Sequence, residues 1–198
     1  MQAALHNPET WRPSRGKVGM ASLIAMESFF FAGFIVAYLF YIGKSAVGPY
    51  PREVLEVKPV LWNSAALIAS SFTVMAAVRA LARGAMGGMR LWLLATIVLG
   101  ALFLWGTWVE WRGLIWDKGL TIRTNLFGST FYTLVGFHAF HVTVGLLALA
   151  LFWVLAMRGA LKPARDTIRF ELVSWYWHFV DVVWVFVFAT VYLVGMRA

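Results

Sequence analysis

Residues 124–157 read TNLFGSTFYTLVGFHAFHVTVGLLALALFWVLAM. The run holds no Asp, Glu, Lys or Arg, and Arg123 and Arg158 close it on either side. A strand of a membrane barrel alternates apolar and polar positions; here the apolar residues are continuous. A helix needs about 20 apolar residues to cross a hydrocarbon core of ~30 Å, so this run crosses once with residues to spare. Its opening, Thr124–Thr130, reads as an approach loop. Cutting the rest of the chain at charged residues gives four more such runs: Lys17 to Lys44, interrupted by Glu27; Lys58 to Arg79; Arg90 to Glu110; and Glu171 to Arg197, interrupted by Asp181. The expected spans are 18–43, 60–79, 91–110, 127–157 and 172–195. The fold class is all-α: a polytopic membrane protein, a bundle of five transmembrane helices in a single domain over 1–198. The expected connections are about 8–17 residues long, and the third span is the shortest, crossing with little tilt.

Composition agrees. Hydrophobic residues make up 61% of the 198 and charged residues 13%, against roughly 45–50% and ~25% in soluble domains. Mean hydropathy is +0.75. These values exclude disorder and argue against a water-soluble globule. The absence of cysteine excludes disulfides, thiolate zinc sites, iron–sulfur clusters, CxxCH haem attachment and a cysteine nucleophile. The net charge of +8 would suggest nucleic acid in a soluble protein. Here the cations lie between apolar runs and fit anionic lipid and membrane orientation instead, so no nucleic-acid partner is expected. No signal peptide is expected, because Met1–Lys17 is polar and the apolar run after it is too long for an h-region. No P-loop, GxGxxG, HExxH or GxSxG occurs. No span is broken in the paired manner of a secondary transporter, and no ring of like charge suggests a pore.

Lys and Arg counts set the expected orientation. One side carries Arg12, Arg15, Lys17, Arg79, Arg83, Arg90, Arg158, Lys162, Arg165 and Arg169; the other carries Lys44, Arg52, Lys58, Arg112, Lys118, Arg123 and Arg197. Ten against seven puts the N-terminus inside and the C-terminus outside. Trp62, Trp92, Trp111, Trp116 and Trp175 fall near span ends, where the amphipathic ring suits the headgroup zone. Trp105, Trp108 and Trp184 lie deeper and are expected to pack between helices.

Ionisable groups inside a span cost about 2.5–3.5 kcal/mol on insertion scales, so each needs a compensating reason. Glu27 lies about ten residues into the first span and must be neutral or hydrogen-bonded to be tolerated. A proton relay, a lipid contact, or a bond to another helix each accounts for it. His138 and His141 share one helical face at i, i+3. They suit either a metal or haem site completed by other helices or two interhelical hydrogen bonds. The chain has no E-x-x-H, which di-metal carboxylate bundles require in pairs. His178 and Asp181 repeat the i, i+3 spacing as a hydrogen-bonded couple, a proton relay or a structural clamp. Glu110, beside Trp111 and Arg112, is expected to form a snorkelling interfacial ion pair.

Several of these stretches resemble one family. The last span, Trp175-Tyr176-Trp177-His178-Phe179-Val180-Asp181-Val182-Val183-Trp184, is similar to the signature of subunit III of haem–copper terminal oxidases. Gly128-Ser129-Thr130-Phe131-Tyr132 leading to Gly136-Phe137-His138-Ala139-Phe140-His141-Val142 resembles that family's penultimate helix, and Glu27-Ser28-Phe29-Phe30-Phe31 its buried carboxylate helix. Asn63-Ser64-Ala65-Ala66-Leu67-Ile68-Ala69-Ser70-Ser71 and Val109-Glu110-Trp111 resemble the two helices between. The likeness runs over about residues 17–196, in order, and matches the last five helices of the seven-helix members, as in the short bacterial form. In the long form the two additional helices wall a lipid-filled cleft. Thr107 stands where the family often has Gln, so a polar contact is expected to be lost there.

The resemblance implies a non-redox accessory subunit of an aa3-type cytochrome c oxidase in the bacterial inner membrane, with no catalytic residue and no metal ligand of its own. Haem a and copper would sit in partner subunits. It implies direct packing on subunit I, association with subunit II and other subunits, bound phospholipid, support of proton uptake, protection against turnover-linked inactivation, and cytochrome c as donor to the complex; it leaves open whether a respiratory supercomplex surrounds the enzyme. Carried over residue by residue, Glu27 and His141 would be the polar pair nearest a bound lipid, with Glu27 the site of carbodiimide reaction. His138, His178, Asp181 and Glu110 complete the candidate buried polar network. The same resemblance accommodates a quinol oxidase or a nitric oxide reductase partner; a small transporter or proton carrier using Glu27, His141 and Asp181 is the alternative of another class.

Overall fold

The computed structural model describes residues 14–197. Arg12, and most of the leading segment read as free of a signal peptide, lie outside the described residues. The chain forms α1 (Arg15–Tyr41), a short α2 (Pro51–Val54), α3 (Val57–Ala82), α4 (Met86–Trp116), α5 (Leu126–Met157) and α6 (Pro163–Phe188). α6 continues without a break into a π-helical stretch, Ala189–Val194. Five of these helices are long and apolar enough to cross a membrane, and no strand is present among the described residues.

The helices run on past their apolar windows, because Arg79, Arg90 and Arg169 continue them at their charged ends with stems that can lie along apolar surface. The connections are correspondingly shorter than the charge cuts suggest. Only Arg83–Ala85 separates α3 from α4, and Gly84 makes that reversal at φ +72°, a left-handed conformation that favours glycine. The stretch Thr124–Thr130 also differs from the expected loop, since α5 starts at Leu126. The Asn125 side chain caps it by accepting from the Gly128 N–H at 2.8 Å. The hydroxyls of Ser129 and Thr130 donate to the carbonyls of Asn125 and Leu126, at 3.2 and 3.0 Å. The cap starts the helix in a polar sequence, and the hydroxyls are satisfied by bonding back to its carbonyls.

α3 and α4 form an antiparallel hairpin; α6 packs against α1, α3 and α5, α4 also packs on α5, and α1 lies on α5 and α6. The buried positions advance by three and four: Val60, Ser64, Leu67, Ser70, Val74, Ala77 and Leu81 in α3; Met89, Leu93, Thr96, Gly100, Phe103 and Thr107 in α4. This is the spacing of knobs-into-holes packing. Both faces of each helix are apolar, so the packed face is distinguished by small and hydroxyl-bearing residues, which admit close backbone approach. Thr107 fits this pattern. Its hydroxyl donates to the Phe103 carbonyl of its own helix at 3.1 Å.

The tryptophans divide accordingly. Trp177 and Trp184 are buried, at 0% and 1% exposure, whereas Trp105 and Trp108 are 62% and 51% exposed. The expectation that Trp105 and Trp108 pack between helices is corrected: α4 packs through Phe103 and Thr107, and a 100° step per residue turns positions 105 and 108 to the opposite side.

The two ends of the bundle are tied by polar contacts. Near Tyr41, the Arg52 guanidinium donates to the carbonyls of Met196 and Arg197 at 2.9 and 2.6 Å. Lys118 donates to the Val54 carbonyl at 2.7 Å, and Asn125 to those of Val47 and Pro49, both at 3.0 Å. Near Arg15, Arg90 donates to the Ala156 carbonyl at 3.1 Å, and Asp166 accepts from the Lys162 N–H at 2.8 Å.

Candidate functional site

Glu27 and His141 meet halfway along the antiparallel helices α1 and α5, with Oε2 and Nε2 3.2 Å apart. The Nδ1 of His141 is 2.8 Å from the Phe137 carbonyl. A carbonyl only accepts, so Nδ1 carries a proton. The contact between Nε2 and Oε2 then holds one further proton, on either the imidazole or the carboxyl. Phe31 and Phe137 close around the ring, with centroids 5.0 and 4.6 Å from it. The Tyr176 hydroxyl donates to the His141 backbone carbonyl at 3.2 Å. The imidazole is buried, while a quarter of the Glu27 side chain is exposed. The acid is thus the open end of the pair, on the helix face that carries the exposed ring of Phe30 at i+3.

The second group lies between α3 and α6. His178 and Asp181 make no direct hydrogen bond to each other; Ser71 joins them. Its hydroxyl donates to Asp181 Oδ2 and stands 2.9 Å from His178 Nδ1. The expected couple is therefore corrected to a serine-bridged trio. Ser71 inserts because it lies next to Ser70, the residue that holds Trp177 (2.9 Å from indole nitrogen to hydroxyl). That contact brings α3 close enough for its neighbour to reach both polar side chains.

The third group joins α4 and α6. Both carboxyl oxygens of Glu110 are within reach of the Tyr192 hydroxyl, at 2.8 and 3.0 Å. Glu110 makes no ion pair with Arg112, which overturns the expected interfacial pair. Residues i and i+2 leave a helix on different sides, and the Arg112 guanidinium instead sits 5.8 Å over the Trp108 ring, four residues back. Tyr192 belongs to the π-helical stretch, a conformation frequent at functional sites. Glu110 also lines a cleft of about 1280 Å³ between the start of α3 and the end of α4.

His138 differs from His141. It is 1% exposed, and neither of its ring nitrogens has a hydrogen-bond partner among the described residues. Trp184, Phe103 and Phe31 wall it in, with ring centroids 4.9, 5.8 and 6.3 Å away. It therefore does not form the interhelical bond that was one of its two readings, and its surroundings are carbon. Among the described residues no three His, Asp or Glu side chains gather as a metal-ligand set. What the geometry offers is proton-holding contacts at helix junctions.

Comparison with known proteins assigns the family. The family model described as "Cytochrome c oxidase subunit III" matches residues 3–196. The chain belongs to the cytochrome c oxidase subunit III family. It is 37% identical over 185 residues to a protein of Nocardia farcinica named "Probable cytochrome c oxidase subunit 3", covering 92% of this chain and 90% of that one. It is 37% identical over 187 residues to the "Cytochrome c oxidase subunit 3" of Corynebacterium diphtheriae, with the same coverage. The protein of that name in Bacillus subtilis is 36% identical over 183 residues, covering 90% and 86%.

In this subunit III family chain, three partners of the candidate residues escape sequence reasoning: Ser71, Tyr176 and Tyr192. No heptad signal marks the serines. Ser64 and Ser71 are seven residues apart, as are Trp177 and Trp184, and Trp184 donates to Ser64 at 2.8 Å. The contacting serines are Ser64 and Ser70, six apart, against tryptophans seven apart, so the two spacings do not match and Ser71 is reached only through its neighbour. No signal marks Tyr192, whose placement depends on the π-helical turn.

Proposed function

We propose that this chain is the non-redox accessory subunit III of an aa3-type cytochrome c oxidase. In that role residues 1–198 form one transmembrane unit of the bacterial inner membrane, N-terminus cytoplasmic and C-terminus outside. The unit packs directly on subunit I, accompanies subunit II and the other subunits, holds phospholipid and supports proton uptake while the complex reduces O₂ with electrons from cytochrome c. Membership of a larger respiratory supercomplex belongs to the same reading.

The observation that carries it is the contact between Glu27 and His141. A partly exposed carboxyl halfway along a membrane-length helix gives a lipid a polar anchor and gives a proton a place to be held. Two of the histidines are poorly placed for axial ligation of haem: His141 is committed to Phe137 and Glu27, and His138 is enclosed by rings. In this reading haem a and copper belong to partner subunits. The names of the relatives favour cytochrome c over quinol as the donor.

The test is a reduced-minus-oxidised optical spectrum of what co-purifies with the tagged chain in mild detergent. An a-type haem band is expected. Only b- or o-type bands would assign the chain to a quinol oxidase or a nitric oxide reductase. Intact, monodisperse material without haem would overturn the oxidase reading in favour of a transporter.

A further inference from the structure

We propose that the cleft between the start of α3 and the end of α4 binds the hydroxyl-rich head of a glycolipid, whose acyl chain lies along the exposed stripe of α4. The site is separate from the contact of Glu27 with His141, which joins α1 to α5.

The cleft holds about 1280 Å³, more than the ~300–1,000 Å³ of ordinary small-molecule pockets. Asn63 and Gly106 line it where α3 and α4 come together. A Cβ on Gly106 would overlap the Asn63 amide, so the glycine lets that amide lie against the α4 backbone. Asn63 is partly exposed and hydrogen-bonds to no described residue, which leaves its amide free to donate and to accept. Glu110, one turn further along α4, lines the same cleft. Its partner among the described residues is the Tyr192 hydroxyl, one proton for two oxygens. Ionised or protonated, the carboxyl keeps unused hydrogen-bonding positions. An acyl chain satisfies neither group.

Two further features choose the ligand. The first is aromatic. Trp105 and Trp108, both exposed, line the cleft with ring centroids 5.0 Å apart. The C–H face of a sugar ring is weakly positive and packs on the negative face of an indole, while its hydroxyls pair with an amide and a carboxyl. The second is charge. Around the cleft Glu56, Glu110 and Asp117 outnumber Arg112 and Lys118. Both cations are already engaged, Arg112 over the Trp108 ring and Lys118 with the Val54 carbonyl and Glu56. A phosphate head therefore meets an excess of acids, whereas a neutral polyol meets no such repulsion. The path for the chain starts at the same place. Val98, Leu102 and Trp105 follow one another at i, i+4 and i+7 on one helix face, all exposed.

The test uses the complex purified in a detergent without a sugar head and returned to phosphatidylglycerol vesicles. Two probes carrying the same diazirine acyl chain are compared, a monoglucosyl diacylglycerol and a phosphatidylethanolamine, and their adducts are mapped by mass spectrometry. Several-fold stronger labelling of residues 56–63 and 98–118 by the glycolipid probe is expected, with excess dodecyl maltoside, a soluble amphiphile of the same head chemistry, removing it. Trp105→Leu keeps an apolar side chain at an exposed position and removes the ring. It should cut that labelling several-fold and leave the thermal midpoint of the complex unchanged, and Asn63→Leu should cut it likewise. Equal or stronger labelling by the phospholipid probe overturns sugar recognition, as does glycolipid labelling that survives Trp105→Leu. No adduct in these segments from either probe overturns the site itself.

Discussion

The indole N–H of Trp177 donates to the hydroxyl of Ser70 at 2.9 Å, and one heptad further along α6 Trp184 does the same to Ser64 at 2.8 Å. Two identical contacts, seven residues apart on α6 and six apart on α3, fix both the direction and the register of α3 against α6. The Trp177 ring has room because Gly100 of α4 and Gly145 of α5 lie against it. A Cβ on either glycine would come within 2.8 Å of a ring carbon. One side chain thus joins three helices to α6.

Gly145→Ala is expected to destabilise the chain, although alanine is the better helix former. The propensity gain is about 0.8–1.0 kcal/mol. Overpacking against a rigid, buried ring costs about 1–3 kcal/mol, so the clash wins. Gly33→Ala is the control, since nothing lies within 4 Å of a Cβ there. Thermal unfolding in detergent, followed by loss of the monodisperse species, should show a lower midpoint for the first variant and an equal or higher one for the second. Equal midpoints for both would remove the wedge role of Trp177.

His138→Leu and His141→Leu should part company. The two histidines look equivalent in sequence, but only His141 has polar partners. Removing His138 deletes two buried nitrogens without partners, and such a replacement is close to neutral or stabilising. Removing His141 strands the Glu27 carboxyl at membrane depth, where an uncompensated acid costs about 2.5–3.5 kcal/mol. The expected order of thermal midpoints is His138→Leu at or above the unsubstituted chain, and His141→Leu clearly below both. The reverse order would mean that His138 holds a partner of its own.

Tyr192→Phe and Glu110→Gln test the link between α4 and the end of α6. Each single change breaks or weakens the same contact, so the pair should be less than additive. Coupling energies between side chains in membrane proteins average about 0.6 kcal/mol and reach about 1.7; a contact using both carboxyl oxygens belongs toward the upper part. The measurement is a double-mutant cycle on unfolding free energy. Additive effects would show that Glu110 is held by something other than Tyr192.

The fold class was legible because each of the five apolar runs is bounded by charge, and bilayer thickness turns run length into a helix. Which face each helix buries was not legible. Both sides of α4 are apolar, so hydrophobicity could not tell Phe103 from Trp105. Only the recurrence of Gly, Ser and Thr at Ser64, Ser70, Thr96, Gly100 and Thr107 marks the packed side. The pairing of Glu27 with His141 was suggested by family resemblance, since no spacing within one helix connects residues 114 positions apart. The bridging of His178 to Asp181 was missed for a related reason. The i, i+3 rule brings two side chains near one another, but a second helix supplies the serine that bridges them.

Glu27→Gln carries the remaining prediction. The carboxamide is close in size to the carboxyl and can donate to His141 Nε2, so the contact between α1 and α5 survives and the fold should change little. What is lost is the exchangeable proton held between Oε2 and Nε2. If the chain is an accessory subunit, O₂ consumption by the assembled oxidase should stay close to that of the unsubstituted enzyme at the start of turnover, because the redox centres lie in other subunits. Reaction of this chain with a hydrophobic carbodiimide should vanish, because Glu27 is a partly exposed acid in an apolar setting and a carboxamide does not react. Complete loss of initial O₂ consumption in a fully assembled complex would put Glu27 in the catalytic machinery and sink the accessory role. Undiminished carbodiimide labelling would move the reactive acid to Asp181 or Glu110.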